Sequence, residues 1–364
     1  MNKPRQRQIT IVEVAAQAGV SIATVSNVLT RKNVPLSAEI IKKVETAAEL
    51  LNYRRNVVAV NLSSHKTREL GLMVPSFGGY YGRFAEEMQL ASQQFGYYLS
   101  VFSSGGFNPI TEKRHMVALQ QRRVDGLFSH GLAMTYESTR QIVSVGTPLV
   151  LFNGWNWPSD VISGAVNLDF ARACEESVYY FVEQGCNALF YVGRKKSLAT
   201  DEQRCIGYAA GIKKFADTRL NEIVDMDDML VSDLLDVLMD KTTGIIPIGI
   251  LVFDENVAFE LMSVGLEKGY RIPEQIKIVG LNNDFVARTC YPGITTWDIP
   301  YKDQEDQAKL AVSWMLRELG EKTHDPEVTT EIQNFSGNLN LKLPSEGSKE
   351  LLIPLTFLPR SSTI

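Results

Sequence analysis

Two groups of side chains have types and spacings suited to ligand recognition, and the first lies between residues 10 and 30. Asn27 carries an amide that can pair two ways with an adenine edge, while Ile22 and Ala23 could contact thymine methyl groups. Short hydroxyl side chains of the same segment suit hydrogen bonds to phosphate oxygens. The hydroxyl residues are Thr10 and Ser21, which begin the two helical patterns, and Thr24, Ser26 and Thr30. This group predicts contacts with double-stranded DNA.

The second group comes from the rest of the chain and has the chemistry of a carbohydrate site. Asn153, Asp254 and Asn282 each lie at or just past the end of a predicted strand, where ligands collect in open α/β sheets. Arg204 begins a helical pattern and offers a fork of donors to a polyhydroxylated ligand. An aromatic wall for the apolar side of a sugar ring would come from Tyr80, Tyr81 or Trp155. Alternatively, Arg204 could be a surface ion-pair partner and Asp254 a helix cap.

Local patterns place the first group on two short helices. Thr10 with Glu13 is typical of a capping box, and apolar residues then recur at the spacing of one buried helical face. Gly19 can adopt the positive φ of a turn, and Ser21 can cap a second helix. Two helices joined by such a turn form a helix-turn-helix, whose second helix fits the major groove. An ordinary helical hairpin inside a larger core is the alternative.

A third helical pattern begins after Ser37 and completes a three-helix unit that closes on Leu51–Tyr53. The basic pair Arg54-Arg55 follows and leads into a helical segment, Asn56–Ser63, that is too short to be stable alone. Taken alone, such a segment is usually a plain linker; a hinge that folds into a helix only on DNA is the other interpretation.

Charge is divided unevenly along the chain. Residues 1–66 hold ten Lys or Arg against four Glu, a net of +6, whereas the whole chain is at −5, so the remainder carries −11. An acidic remainder repels DNA and a basic amino-terminal module attracts it. The electrostatic contact with DNA is therefore predicted to be confined to that module.

From about Leu70 the sequence alternates short apolar runs with amphipathic helical stretches, which indicates parallel β-sheets covered by helices. Two similar α/β halves follow one another, with predicted crossing points near residues 160 and 295, and a cleft between the halves would bind a ligand. The strands predicted to be buried on both faces are Leu70–Val74, Tyr97–Phe102, Val124–Phe128 and Pro148–Phe152. The strands predicted for the second half are Ala188–Val192, Gly249–Phe253 and Lys277–Gly280.

Other classes of protein are disfavoured. The sequence contains no P-loop, GxSxG, GxGxxG or HExxH motif, and its four histidines and four cysteines lack metal-ligand spacing. We therefore expect no enzyme activity, no cofactor and no metal. No transmembrane run or secretory signal is present, so we expect a cytoplasmic protein without a membrane partner.

The amino-terminal part contains a set of motif residues at nearly fixed spacing: Thr10, Val14-Ala15, Ala18-Gly19-Val20-Ser21, Thr24-Val25-Ser26, Ser37, Leu51-Asn52-Tyr53 and Asn56-x-x-Ala59-x-x-Leu62. Further along, the chain contains Arg123-Val124-Asp125-Gly126, Gln203-Arg204-x-x-Gly207-Tyr208, Leu251-Val252-Phe253-Asp254-Glu255, Ile278–Asn283, Ile294-Thr295-Thr296 and Ile353–Ser362. These motifs resemble those of the lactose repressor and galactose repressor family of bacterial transcription regulators.

The resemblance implies an all-α helix-turn-helix headpiece over residues 1–54, a hinge over 55–66 and an α/β core over 67–364. The core would be two-lobed, similar to periplasmic binding proteins and built on parallel sheets. Its N-lobe would span about 67–162 and 296–324, and its C-lobe about 163–295 and 325–364. In the hinge, Asn56, Ala59 and Leu62 would contact DNA, with Leu62 wedged into the minor groove.

The function implied is that of a homodimeric regulator, expected to be a repressor, whose affinity for operator DNA is controlled by a sugar or sugar derivative bound between the lobes. Two departures from the family pattern bear on specificity: Asn27 stands where many members carry arginine, and Asn153 with Asn282 replaces acidic residues that often bind sugar hydroxyls. A cytoplasmic sugar-binding protein without DNA function is the alternative, but it does not explain the helix-turn-helix.

Overall fold

The computed structural model describes residues 9–29, 35–54, 66–144, 146–195, 198–216, 218–299, 301–320 and 350–364. Internal contacts divide the chain into two units, Met1–Thr67 and Arg68–Ile364, which we call the headpiece and the core. Four predicted DNA contacts lie outside the described residues: Thr30, Asn56, Ala59 and Leu62.

Three helices form the described part of the headpiece: α1 (Ile11–Ala18), α2 (Ile22–Leu29) and α3 (Ala38–Leu50). Their apolar stripes meet in a small core whose fully buried members are Val14, Ala15, Val25, Val44 and Ala47. Short helices are marginal in isolation, so packing of these stripes supplies most of their stability. The predicted three-helix unit is confirmed.

The core contains two six-stranded sheets within its described residues. The sheet of the N-lobe is formed by β1 (Glu69–Val74), β2 (Tyr98–Ser103), β3 (Gly126–His130), β4 (Leu149–Phe152), β5 (Gly164–Leu168) and β11 (Glu350–Ile353). The sheet of the C-lobe is formed by β6 (Ala188–Gly193), β7 (Leu220–Asp225), β8 (Ile248–Val252), β9 (Ile276–Asn282), β10 (Thr295–Asp298) and β12 (Thr356–Leu358).

Helices cover both sheets, as the alternating pattern predicted. The helices of the N-lobe either contact its other elements or connect two of its strands; they are α4 (Gly79–Gln94), α5 (Pro109–Gln121), α6 (Tyr136–Val143) and α12 (Tyr301–Glu318). Those of the C-lobe are α7 (Phe170–Glu183), α8 (Leu198–Gly211), α9 (Val231–Lys241), α10 (Glu255–Glu267) and α11 (Phe285–Thr289). A π-helical turn, Ile212–Ala216, continues α8.

The strand order is β11-β5-β4-β3-β1-β2 in the N-lobe and β12-β10-β9-β8-β6-β7 in the C-lobe. Every neighbouring pair is parallel except β10 with β12, which is antiparallel. The predicted parallel sheets are thus confirmed. One detail was wrong: β2 was expected to be buried on both faces, yet it is an edge strand whose residues are exposed or half-buried.

The borders expected between the lobes differ from those in the structure. Gly164–Leu168 and Glu350–Ile353, both expected in the C-lobe, pair in the N-lobe sheet, whereas Thr295–Asp298 pairs in the C-lobe sheet. The chain therefore crosses between lobes at Asp169, after Asp298 and at Pro354-Leu355. Pairing such as that of β5 with β11 joins segments far apart in sequence, so local patterns could not place these borders.

No single helix among the described residues is both long and apolar enough to cross a membrane. Helices α1 and α2 have the required length and apolar composition only when they are counted together, and the chain bends by 103° between them.

Candidate DNA-binding and effector-binding sites

The second helix of the headpiece presents most of the residues predicted to read DNA. Ile22 and Ala23 are exposed, and Ser26 and Asn27 are half-buried one turn further along α2. Gly19 ends α1 with a φ of 66°, the left-handed conformation that glycine adopts at low cost. The tight turn expected between the two helices is therefore present.

Hydroxyl groups at the helix starts have partners within the headpiece. Ser21 Oγ accepts a hydrogen bond from the backbone N–H of Thr24 at 3.1 Å and lies 2.8 Å from the Thr24 hydroxyl. Glu13 accepts hydrogen bonds from the backbone N–H and the hydroxyl of Thr10, at 2.7 and 3.0 Å. Thr10 and Ser21 therefore cap helices. The contacts of Thr10, Ser21 and Thr24 with DNA remain predictions.

In the core, both sheets have a topological switch point. The chain passes from β1 to β2 on one side and then returns to place β3 on the other side of β1; β6, β7 and β8 repeat the arrangement. Ligands of open α/β sheets bind beyond the carboxyl ends of the strands at such points. The residues that follow β1, β3, β6 and β8 are therefore the candidates for a cleft between the lobes.

The N-lobe side of this cleft is aromatic. The His130 ring at the end of β3 makes edge-to-face contacts with Tyr80, Tyr81 and Phe84 of α4, with ring centroids 4.9–5.3 Å apart. Its Nε2 lies 3.2 Å from the Tyr80 hydroxyl. Burial lowers the pKa of His130 to about 3, so the imidazole is neutral. Tyr80 and Tyr81 thus form an aromatic cluster with His130, and their role as a wall for a sugar ring remains a prediction.

On the C-lobe side, Arg204 of α8 is 2% exposed and lies between two aromatic rings. Its Cζ is 3.8 Å from the centroid of Phe170 and 4.1 Å from that of Phe253. One terminal nitrogen donates to the Thr200 carbonyl at 3.2 Å, whereas the buried Nε has no partner among the described residues. Arg204 is therefore a rigidly held donor, and the alternative of a surface ion pair is wrong.

The two sides approach each other at Tyr81. Burial raises the pKa of the Tyr81 phenol to about 12, with a lowering contribution from Arg204 and a raising one from Asp254. The N-lobe phenol is thus near both C-lobe charges. A second contact between the lobes is the ion pair of Arg83 on α4 with Asp284 after β9, at 3.5 Å. Arg204 and Asp254 are therefore within electrostatic range of an N-lobe side chain, and as effector-binding residues they remain predictions.

The remaining predicted residues have partial or structural roles. Asp254 caps α10, since its Oδ1 accepts from the backbone N–H groups of Asn256 and Val257 at 3.0 and 3.1 Å. Asn153 accepts from the backbone N–H of Leu168 at 3.0 Å, which ties β4 to the end of β5. Trp155 is 8% exposed and packs in the core near Phe170.

Asn282, at the end of β9, has a φ of 111°, and its neighbour Asn283 has a φ of 53°. These left-handed conformations are strained and need support. Support comes from Asn283, whose side chain donates to Asp298 at 2.8 Å and accepts from Arg360 at 2.7 Å. The carboxyl-terminal segment therefore holds Asn283, the neighbour of Asn282, through Arg360, a contact that local sequence patterns could not show.

Glu255 was not predicted as a site residue, although it directly follows Asp254. It is fully buried, and its Oε1 accepts from the backbone N–H of Asn283 at 2.8 Å and from the Thr296 hydroxyl, while Oε2 has no partner among the described residues. Burial raises its pKa to about 8, with the Thr296 hydrogen bond opposing. The carboxyl group is therefore largely protonated at neutral pH.

This gives a pH prediction. Because the native pKa of Glu255 lies above the ordinary value of 4.5, its contribution to stability is full below that value and is lost as the pH rises through 8. We expect the melting temperature of the core to fall between about pH 5 and 8, and Glu255→Gln to reduce that slope. Thermal unfolding across this range tests it, and equal slopes in both proteins would contradict the assignment.

Similar proteins agree with this arrangement. The family model described as bacterial regulatory proteins, lacI family, matches residues 10–56, and that of a periplasmic binding protein-like domain matches residues 178–334. Catabolite control protein A of Staphylococcus aureus is 27% identical over 307 residues, which cover 81% of this chain and 88% of that protein.

Two solved structures share the fold over 98% of this chain and 100% of theirs, each at 18% identity. The lac repressor dimer bound to operator and the anti-inducer ONPF has a TM-score of 0.79, and the transcriptional regulator CelR–cellobiose complex has a TM-score of 0.62.

A helix-turn-helix headpiece and a two-lobed, periplasmic-binding-protein-like core on one chain define a DNA-binding transcription regulator. The chain belongs to the lactose repressor and galactose repressor family of bacterial transcription regulators. Its relatives are regulators, which confirms the expectation that it is not an enzyme.

Proposed function

We propose that this protein is a repressor whose affinity for operator DNA is controlled by a carbohydrate effector bound between the lobes of the core. The observation that carries the proposal is Arg204, buried at the lobe interface with an Nε donor that lacks an acceptor among the described residues. A buried unpaired donor is costly, and hydroxyl or anionic oxygens of a ligand would satisfy it.

A sugar suits the rest of the cleft. The aromatic rings of Tyr80 and Tyr81 would face the apolar side of a sugar ring, and the half-buried Asp254 carboxylate would accept hydrogen bonds from hydroxyl groups. The CelR–cellobiose complex is a precedent for a sugar in a protein of this fold. A ligand that binds one arrangement of the lobes more tightly than the other can change operator affinity by at most the ratio of those two ligand affinities.

We propose that the protein acts in the cytoplasm, where it would meet operator DNA, and that it is a homodimer, as the lac repressor is in its operator complex. A twofold dimer would bind a pseudo-palindromic site, each headpiece contacting one half. No membrane partner is proposed.

Base recognition by α2 is tested with Asn27→Ala. If the amide makes a bidentate contact with a base, its loss should cost about 1–3 kcal/mol on the cognate site and relax specificity at one position. Lys42→Ala, at an exposed position on α3, is the control, because loss of a phosphate contact weakens all sequences alike. An unchanged preference of the Asn27 variant in a randomised-site selection would refute this role.

A further inference from the structure

We propose that a groove on the C-lobe is a second ligand site, which binds a small neutral aromatic compound and regulates operator binding through the connections between the lobes. The groove is lined by residues of α7, of the π-helical turn Ile212–Ala216 and of the strands β10 and β12. Its volume is about 690 Å³, within the range of about 300–1,000 Å³ that is usual for small-molecule sites. None of its lining residues belongs to the effector-binding set predicted from the sequence.

The walls of the groove are aromatic. Tyr179 and Phe215 form one pair of rings, with centroids 5.1 Å apart. Phe357 contacts Tyr180 at 4.7 Å and Trp297 at 5.0 Å. Trp297 is 5% exposed and Tyr179 is 48% exposed, so the rings extend from the interior to the surface. A single exposed apolar side chain needs no explanation, but a cluster of rings around a concave surface marks an interaction site.

One face of helix α7 forms the length of the groove. Its lining residues recur at helical spacing and are Arg172, Glu175, Glu176, Tyr179 and Tyr180. The residues between them are buried and are Ala173, Cys174, Ser177, Val178 and Phe181. Helix α7 therefore packs on the core with one face and presents the other to the groove.

The π-helical turn supplies the opposite wall through Lys214 and Phe215. Such turns are rare and occur frequently at functional sites. This turn continues α8, the helix that carries Arg204, while α7 begins with Phe170, whose ring lies 3.8 Å from Cζ of Arg204. The two helices that border the groove are thus the two that hold Arg204.

The charged residues of the groove neutralise one another. Lys214 donates to Glu175 at 2.8 Å, and Arg172 donates to Glu176 at 2.6 Å. The four charged lining residues therefore form two ion pairs without net charge. An ionised ligand would lose hydration here without gaining an opposite charge, which favours a neutral ligand.

The polar atoms of the inner rings also have partners. Nε1 of Trp297 donates to the Ser177 hydroxyl at 2.7 Å, and the Tyr180 hydroxyl lies 2.8 Å from that of Thr363. A sugar needs donors and acceptors for its hydroxyl groups, and these are already engaged. An aromatic ring needs only the ring faces and edges, which it would contact in stacked or edge-to-face geometry.

The groove adjoins all three connections between the lobes. Its lining residues nearest to those connections are Arg172, Trp297 and Phe357, which lie within three residues of Asp169, Asp298 and Leu355. Motions between two lobes are absorbed by a few residues at such element ends. A ligand that binds here more tightly in one arrangement of the lobes shifts the equilibrium toward that arrangement.

The test of binding is isothermal calorimetry of the full chain with indole, benzamide and naphthamide. We expect at least one of them to bind saturably with a Kd of about 10 μM to 1 mM. The isosteric anions benzoate and naphthoate should bind about tenfold or more weakly than their amides, and cyclohexanecarboxamide about threefold or more weakly than benzamide. Absence of saturable binding by all three aromatic probes, or equal binding of amides and anions, would overturn the inference.

A variant at the mouth of the groove locates the site. Tyr179→Ser should weaken the best probe by about tenfold, because it removes one ring of the wall from a half-exposed position. Tyr136→Ser is the matched control, since Tyr136 is 44% exposed and its ring contacts Trp157 at 4.7 Å on the N-lobe helix α6. Unchanged binding in Tyr179→Ser, or equal weakening in both variants, would refute this location.

The regulatory role is tested by operator affinity at a saturating concentration of the best probe. We expect a change of about fivefold or more in wild type, the lower end of the usual range of allosteric coupling, and none in Tyr179→Ser. The change should persist in Arg204→Ala, so that failure of this site and failure of the effector site at Arg204 are distinguishable. An unchanged operator affinity in wild type would overturn the regulatory role.

Discussion

Replacing Arg204 by alanine is expected to abolish the response to effector while operator binding by the ligand-free protein stays nearly unchanged. The substitution removes a guanidinium whose free donors would bind the ligand, and two charge-assisted hydrogen bonds at about 1.5–3 kcal/mol each correspond to a loss of affinity of about 100-fold or more. Titration calorimetry with the bound sugar and operator binding with and without it measure the effect. For a corepressor the sign of the operator response is reversed.

Arg204 is buried between Phe170 and Phe253, so truncation also leaves a void. Arg204→Met separates the two effects, because methionine fills irregular apolar space without offering a donor. Both variants should lose the effector response, and the methionine variant should melt closer to the wild type. If the ligand bound equally well to Arg204→Ala and wild type, this site would have to be abandoned.

The second large effect is expected at the contact of α7 with α8. A Cβ at Gly207 would lie 1.9 Å from the backbone oxygen of Ala171, and backbone cannot move aside cheaply. Gly207→Ala should therefore separate the two helices and destabilise the core by about 3 kcal/mol. Because Phe170 opens α7 and stacks on Arg204 of α8, the same change should weaken effector binding.

Gly265→Ala is the matched control for this substitution. Gly265 also lies within a helix, α10, but the nearest atom to its added Cβ is a side-chain carbon of Ile272 at 3.6 Å, an ordinary contact. Alanine should be neutral there or stabilise by up to about 1 kcal/mol, since it is the better helix former. Equal melting temperatures for both variants would show that the close approach of α7 and α8 is unimportant.

Features set by neighbouring residues could be predicted from the sequence. The capping pair Thr10 and Glu13, the turn at Gly19 and the buried run of β1 each depend on local spacing, and all are present in the structure. Strands such as β6 and β8 were also placed to within about two residues, as is normal for strongly apolar segments.

Features set by partners far apart in the chain could not be predicted from the sequence. The membership of β5 and β11 in the N-lobe sheet depends on their mutual pairing, and the role of Asn153 depends on the backbone of Leu168.

Control of operator binding through the core is tested most directly by one measurement. Operator affinity of the full chain, on a site obtained by selection from random DNA, is followed as a panel of neutral sugars and sugar phosphates is added to wild type and to Arg204→Ala. We predict that one probe changes the wild-type affinity by about 5–150-fold, the usual range of allosteric coupling, and leaves the variant unchanged. An identical change in both proteins, or no change in wild type with any probe, would contradict an effector site at Arg204.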